Sequence, residues 1–255
     1  MLRLSRYIVY DILRNKIILV YTLLLFAIAM GLFQVEENNN KAMMSLLSII
    51  LIIVPLVSLV FTTIHFYNSY EFMELLLSQP QSRSNIFFSE FLGVGFSMSI
   101  AYFVGVGLPL LIYSISEISF YLLFIGVFLT LIFCSLAFLI SVMTRDKAKG
   151  IGIALLIWFY FALVFDGLLI LILFSLSEYP MEKLSFLFSA LNPIDLSRIF
   201  IMLNMDIGAL MGYTGAIYKD FLGKNTGLFF TAALNLIWIA IPLIWAKKKF
   251  KAKDF

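Results

Sequence analysis

The sequence predicts an all-α, polytopic membrane protein that forms one transmembrane domain over residues 1–255. Composition is the first observation that predicts it: of 255 residues, 62% are hydrophobic, 16% are aromatic and only 13% are charged. A soluble globular domain carries about 25% charged residues. The second observation is that the apolar residues form long runs, since about 20 of them cross a bilayer as a helix.

Six apolar runs are long enough to be transmembrane helices. They cover residues 17–35, 43–67, 86–113, 118–143, 151–176 and 226–246. The first run is too long for the apolar region of a signal peptide, and no small-residue cleavage site follows it. We therefore expect it to be retained as the first span.

Basic residues lie mainly on one side of these runs. They precede the first run, follow the last, and occupy the second-to-third and fourth-to-fifth connections: Arg3, Arg6, Arg14, Lys16, Arg83, Arg145, Lys147, Lys149, Lys247, Lys248, Lys249, Lys251 and Lys253. Because such residues mark the cytoplasmic side, both termini are expected in the cytoplasm. The same distribution explains the net charge of +3 without a nucleic-acid-binding face.

The connection between the second and third runs, residues 68–85, is predicted to contain a cytoplasmic amphipathic helix. Its apolar stripe consists of Tyr70, Met73 and Leu77. Its polar stripe consists of Glu71, Glu74 and Ser78. Pro80 ends this helix and Arg83 follows. Its acidic face is disfavoured at the negatively charged inner leaflet, so the pattern favours docking to a cytoplasmic partner over simple contact with lipid.

The long connection between the fifth and sixth runs, residues 177–225, is predicted to form an external helical hairpin. Asn192 and Pro193 suit the start of a helix, and Asp195 then lies in the first turn, where the helix dipole favours it. Arg198 follows Asp195 at i+3, so the two side chains can pair. This segment either re-enters the membrane surface or forms a surface hairpin that closes the bundle.

Candidate metal ligands are few. The residues Met202, Met205 and Met211 could bind copper(I) through their thioethers, although methionine also fills apolar helices. The chain has a single histidine, His65, and a single cysteine, Cys134. A disulfide within the chain and a histidine or cysteine metal cluster are therefore excluded.

Asp166 is the charge that the sequence places near the middle of the fifth run. A charge there costs roughly 3 kcal/mol, so it marks a functional or pairing site, or a helix break at Asp166-Gly167 that faces a cavity. In the third run, small residues recur every four positions and predict a closely packed helix face: Gly93, Ser97, Ala101 and Gly105.

Enzymatic signatures are missing from the sequence. It contains no phosphate-binding loop, no nucleophile elbow and no HExxH motif. Asp166 by itself does not make a proton relay. The sequence therefore predicts that any energy for transport comes from another protein.

Taken together, these features resemble the permease subunit of ABC-2 type ATP-binding-cassette transporters over the whole chain. The segment "LLLSQPQSR" is similar to the one with which that family contacts its ATPase, which implies this role for Tyr70, Glu71, Met73, Glu74, Leu77, Pro80 and Arg83. The stretch "NPIDLSRIFIML", with "ALMGYTG" close behind, resembles the branch that serves maturation of the copper enzyme nitrous oxide reductase.

The resemblance implies a homodimer in the bacterial inner membrane. It further implies that this chain binds no cofactor and that ATP and magnesium are bound by a NosF-like ATPase. The periplasmic partner would be a NosD-like protein, and the transporter would deliver copper or sulfur. A periplasmic gate or partner contact is then expected at Asn192, Pro193, Asp195 and Arg198, and Asp166 becomes a translocation candidate.

Other functions remain open. The alternatives are an ABC-2 permease for a lipid, a polysaccharide or a gliding-machinery component, a membrane scaffold without transport, and a proton-coupled carrier or membrane enzyme in which Asp166 titrates.

Overall fold

The computed structural model describes residues 2–36, 38–78, 81–175, 188–204 and 224–252. The regular structure in these ranges is helical, and six of the helices found there are long and apolar enough to cross a membrane. The chain is therefore an all-α, multi-pass membrane protein, and the predicted fold class is confirmed.

The helices follow one another in a simple order. They are α1 (Leu2–Leu13), α2 (Lys16–Val35), α3 (Asn39–Asn68), α4 (Tyr70–Leu77), α5 (Arg83–Tyr102), α6 (Leu108–Tyr113), α7 (Glu117–Met143), α8 (Lys147–Phe159), α9 (Phe165–Ser175), α10 (Pro193–Asn204) and α11 (Lys224–Ala252). Two π-helical turns, Phe103–Gly107 and Tyr160–Val164, join α5 to α6 and α8 to α9. Each joined pair forms one continuous span, so the six spans are α2, α3, α5 with α6, α7, α8 with α9, and α11.

Several spans begin before the apolar runs that predicted them, because polar residues cap their first turns. Asn38 accepts a hydrogen bond from the backbone N–H of Asn40 at the start of α3, and Asp146 accepts one from Lys149 at the start of α8. Such caps satisfy backbone donors that have no partner within the helix. A search for apolar runs alone does not detect them.

Helix α1 was not predicted from the sequence. It buries Ile8 and Ile12, which are spaced at i and i+4, and it exposes Tyr7 and Tyr10. It packs along α5. A Cβ atom at Gly93 of α5 would lie 2.5 Å from Ile8 Cγ2, and one at Gly105 would lie 2.9 Å from Leu25 Cβ of α2. The small-residue face predicted on the third span therefore receives α1 at Gly93 and α2 at Gly105.

The centre of the bundle is α7, which packs against α3, α5, α10 and α11. Its Phe138 ring contacts the rings of Phe66, Phe87 and Phe91 edge to face, with centroid distances of 5.4, 5.5 and 5.6 Å. Edge-to-face pairs of this kind are favourable beyond the area they bury. They tie α3 and α5 to the central helix.

Polar contacts between helix ends define the two ends of the bundle. At one end, Lys147 Nζ donates to Asn68 Oδ1 at 2.7 Å, which joins the start of α8 to the end of α3. At the other end, Asn39 Nδ2 donates to the carbonyl of Tyr113 at 3.3 Å, which joins the start of α3 to the end of α6. We refer to these as the basic end and the opposite end.

Candidate functional site

Helix α10, which carries Asp195 and Arg198, lies inside the bundle. From Ile194 to Ile201 every side chain is buried except that of Arg198. The helix packs against α7, α11 and α3, and the Phe200 ring lies 5.6 Å from that of Tyr121, near the opposite end. Of the two alternatives for this segment, the described helix fits re-entry into the bundle, and the rest of the predicted hairpin lies outside the described residues.

Asn192 fastens the start of α10 to the fifth span. Its Oδ1 accepts the backbone N–H of Ile194 at 3.0 Å, and its Nδ2 donates to the carbonyl of Phe161 at 2.9 Å. Phe161 belongs to the π-helical turn between α8 and α9, where wider hydrogen bonding alters the regular pairing of carbonyl groups. The helix starts at Pro193, as the sequence predicted.

The hydrogen bond between Asn192 and Phe161 lies well inside the bundle. Phe161 follows Lys147 by about four helical turns, on the order of 21 Å. From the other side, Trp238 of α11 donates its indole N–H to the carbonyl of Ala190 at 3.1 Å. Trp238 precedes Lys247 by roughly 14 Å of helix. Ala190 and Asn192 therefore already lie inside the bundle, and α10 runs from there toward the opposite end.

Arg198 joins two carboxyl groups from different parts of the chain. Its Nη1 lies 3.0 Å from Asp166 Oδ2 and 3.2 Å from Asp195 Oδ1. The i,i+3 contact with Asp195 was predicted from the sequence. The contact with Asp166 was not, although an acid within a span already indicated that a partner was needed.

Asp166 lies in the first turn of α9, within the fifth span. Helix α9 runs without interruption through Asp166 and Gly167, so the break expected there is wrong, and the span departs from α-helical geometry just before it, in the π-helical turn Tyr160–Val164.

The environment of Asp195 favours its neutral form. Burial raises its pKa, and so does the negative charge of Asp166. The charge of Arg198 and a hydrogen bond with Asn192 lower the pKa by less, so the result is a pKa of about 7. Desolvation of a carboxylate and a nearby like charge both disfavour ionisation. One guanidinium thus serves two carboxyl groups that differ in burial.

A cavity of about 360 Å³ adjoins this cluster between α3, α10 and the fifth span. Asp166 and Arg198 form its charged wall. An apolar wall comes from α3, namely Met44, Leu47, Leu51 and Ile52. Such a cavity offers ionic recognition of one part of a molecule and hydrophobic contact for the rest.

The second candidate site is α4 at the basic end. Met73 and Leu76 are buried, whereas Glu71 and Glu74 are exposed. Leu75 is also 67% exposed, and the predicted apolar stripe included neither Leu75 nor Leu76. The helix packs against α3 and α5, so it has one face toward the bundle and one free face that carries both acids.

The remaining residues of the predicted ATPase contact flank this free face. Tyr70 and Leu77 are partly buried against the core. Pro80 lies outside the described residues. Arg83 begins α5 and donates from Nη1 to the carbonyl of Lys251 at 2.9 Å, so it ties the third span to the end of α11.

The proposed methionine ligands are not brought together by any described contact. Met202 belongs to α10, but its side chain is not described, and Met205 and Met211 lie outside the described residues. In the part of the chain that was searched, no group of three or more histidine, cysteine, aspartate or glutamate side chains could hold a metal ion.

A buried acid near α4 was missed by the sequence reasoning. Glu90 of α5 is 2% exposed, and its Oε2 lies 3.5 Å from His65 Nε2. The same ring nitrogen lies 3.3 Å from Ser69 Oγ, at the junction of α3 and α4. An acid within the apolar third run was the available signal.

Comparison with known proteins identifies relatives along nearly the whole chain. The family described as "ABC-2 family transporter protein" matches residues 9–255. A protein named probable ABC transporter permease protein NosY, from Pseudomonas aeruginosa, is 28% identical over 264 residues, covering 95% of this chain and 94% of that protein. A protein of the same name from Stutzerimonas stutzeri is 27% identical over 270 residues, covering 95% of each.

Proposed function

The chain belongs to the ABC-2 family of transporter proteins, as an ABC transporter permease that requires an ATPase partner, and on this premise we propose how its two sites act. The exposed face of α4 contacts the ATPase. Closure of the ATPase on ATP and magnesium moves α4, and α10 moves at the far side of the bundle as a gate.

The position of α4 is the observation that carries this proposal. Met73 and Leu76 anchor the helix on the bundle, while Glu71, Glu74 and Leu75 remain accessible at the basic end. Because basic residues mark the cytoplasmic side, we place this end and both termini in the cytoplasm, with the protein in the bacterial inner membrane. A cytoplasmic ATPase then meets α4 directly.

The burial of the residues at the start of α10 favours a gate over a contact with a periplasmic partner. Asn192, Pro193 and Asp195 are buried, so they offer little surface to a soluble periplasmic partner. A gate needs only that α10 change its contacts with α3 and the fifth span. We therefore assign Asn192, Pro193, Asp195 and Arg198 to a gate, and any NosD-like partner to the surface beyond it.

We further propose that the permease is a homodimer. The span Lys147–Ile172 has only 6% of its apolar window buried within one chain. Either lipid or protein must cover that face, and a second copy would bring two fifth spans, with their Asp166 side chains, into one assembly. Crosslinking in native membranes tests this arrangement.

The similarity to the NosY permeases supports a narrower proposal for the biological role. The transporter would serve the maturation of nitrous oxide reductase by delivering copper or a sulfur compound, or by transmitting force to a partner. Deletion of the gene should then leave that reductase synthesised but inactive. An active reductase in the deletion strain would exclude this role and leave the permease function intact.

Copurification tests the ATPase contact. We expect the double charge reversal Glu71→Lys with Glu74→Lys to reduce recovery of the ATPase by about tenfold, since interface charges govern such association. Glu117→Lys is a matched control, because Glu117 is an exposed acid at the opposite end. Unchanged recovery of the ATPase with the double variant would contradict the proposal.

A membrane scaffold without transport is the competing function. It shares the ATPase contact but predicts that the permease has no effect on ATP turnover. Measurement of the ATPase rate with and without the permease in lipid nanodiscs separates the two, because only a coupled permease changes that rate.

A further inference from the structure

Among the described residues, the charged side chains around Arg198 do not balance when all of them are ionised. One guanidinium contacts both Asp166 and Asp195, so the cluster carries one excess negative charge when both acids are ionised. Within the described residues, no other cation lies within 4.0 Å of either carboxyl group. Excess charge in an apolar interior is unfavourable, and either a proton or an added cation removes it.

The accessible part of this cluster faces the cavity. Asp166 keeps 31% of its side chain exposed, whereas Asp195 keeps 8%. A cation that enters the cavity therefore meets Asp166 first. The proton is the alternative on the buried side, in keeping with the raised pKa of Asp195.

The other wall of the cavity restricts the kind of cation. The α3 face is apolar apart from Ser48, whose hydroxyl donates to its own helix, and its other lining residues are Met44, Leu47, Leu51 and Ile52. A hydrated metal ion gains little from such walls. Burial of hydrocarbon against them is favourable, at roughly 25 cal/mol per Å², so an apolar group attached to the cation is expected.

We propose that this cavity binds an organic ammonium ion with an apolar tail, its charged group on Asp166 and its tail along α3. When both acids are ionised, an ammonium group supplies the missing positive charge, and it also brings hydrogen-bond donors for a carboxylate. The volume lies within the usual range for small-molecule sites. That such a molecule is transported rests on the proposed permease function, but its binding does not.

The experiment uses the purified full chain in detergent, without the ATPase, and three small probes of similar length. Hexylammonium carries the charge and the tail, hexanol only the tail, and hexanoate the opposite charge. We expect saturation-transfer NMR to show hexylammonium binding about tenfold more tightly than hexanol, and no binding of hexanoate. Equal binding of hexylammonium and hexanol would overturn the proposal, whatever the ATPase experiment shows.

Two variants locate the binding. Asp166→Asn should reduce hexylammonium binding to the level of hexanol, and Asp11→Asn is the matched control, since Asp11 is an exposed acid of α1. Unchanged binding to Asp166→Asn would place the ligand elsewhere and refute the site. If that variant fails to fold, the comparison of the three probes on the unaltered chain still decides the question.

The natural ammonium could belong to a lipid headgroup or to a soluble amine. Nanodiscs of phosphatidylethanolamine and of phosphatidylglycerol distinguish these sources, because only the first lipid carries a primary ammonium. Weaker hexylammonium binding in phosphatidylethanolamine supports a lipid occupant, and equal binding in both supports a soluble amine.

Discussion

Asn192 donates a hydrogen bond of 2.9 Å to the carbonyl of Phe161, which joins the first turn of α10 to the π-helical turn of the fifth span. The same side chain accepts the N–H of Ile194. One amide group thus starts a helix and holds it in the bundle, so these two functions can be separated by mutation.

Replacement of Asn192 by aspartate should keep the cap and remove the donor to Phe161. Loss of a hydrogen bond lowers stability by about 1 kcal/mol, so we expect a lower apparent melting temperature. Asn192→Ala removes the cap as well, at a further cost of about 1 kcal/mol. Thermal unfolding of the detergent-solubilised chain measures both. Asn38→Ala, at the exposed cap of α3, is the control, and an Asn192→Asp variant as stable as the unaltered protein would show that the Phe161 contact is unimportant.

The ion pairs of Arg198 predict that neutralising both acids restores stability lost when the arginine is replaced. Arg198→Gln leaves Asp166 and Asp195 without a cation and should lower stability, because a partner removed from a low-dielectric site leaves uncompensated charge. The triple variant with Asp166→Asn and Asp195→Asn carries no charge at the site. We expect its melting temperature to exceed that of Arg198→Gln alone. A triple variant less stable than the single one would show that the contacts act by shape and not by charge.

Asp195 also predicts a dependence of stability on pH. Burial and the charge of Asp166 raise its pKa to about 7, whereas an unfolded aspartate has a pKa of about 3.9. Between these values the folded chain holds a proton that the unfolded chain releases, so stability should fall as pH rises through this window.

Comparison with Asp195→Asn isolates the contribution of Asp195 to the pH dependence of stability, because both chains share their other titrating groups. The melting temperature of the unaltered chain should fall more steeply between about pH 4 and pH 7 than that of the variant. Parallel curves for the two chains would mean that Asp195 ionises normally.

The sequence predicted those features that depend on local pattern. Long apolar runs gave the six spans, and the Asn192-Pro193 pair gave the start of α10. The contact between Asp166 and Arg198 joins residues from two separate segments, and no local pattern specifies which buried charge meets which. The depth of α10 was missed for the same reason, because its polar residues are satisfied by partners elsewhere in the chain. Helix α1 was missed because it mixes apolar and charged residues within a single short segment.

The two faces of α4 should respond differently to the same kind of truncation. Met73 is fully buried and Leu75 is 67% exposed. Met73→Ala should destabilise the chain by about 2 kcal/mol, because it leaves a cavity against α5. Leu75→Ala should leave the melting temperature unchanged and weaken the ATPase contact, since it removes apolar area that the contact would bury. Thermal unfolding and copurification of the ATPase provide the two measurements. If Leu75→Ala recovers as much ATPase as the unaltered chain, the partner does not bind this face of α4, and the acidic residues beside it must be interpreted as simply solvated.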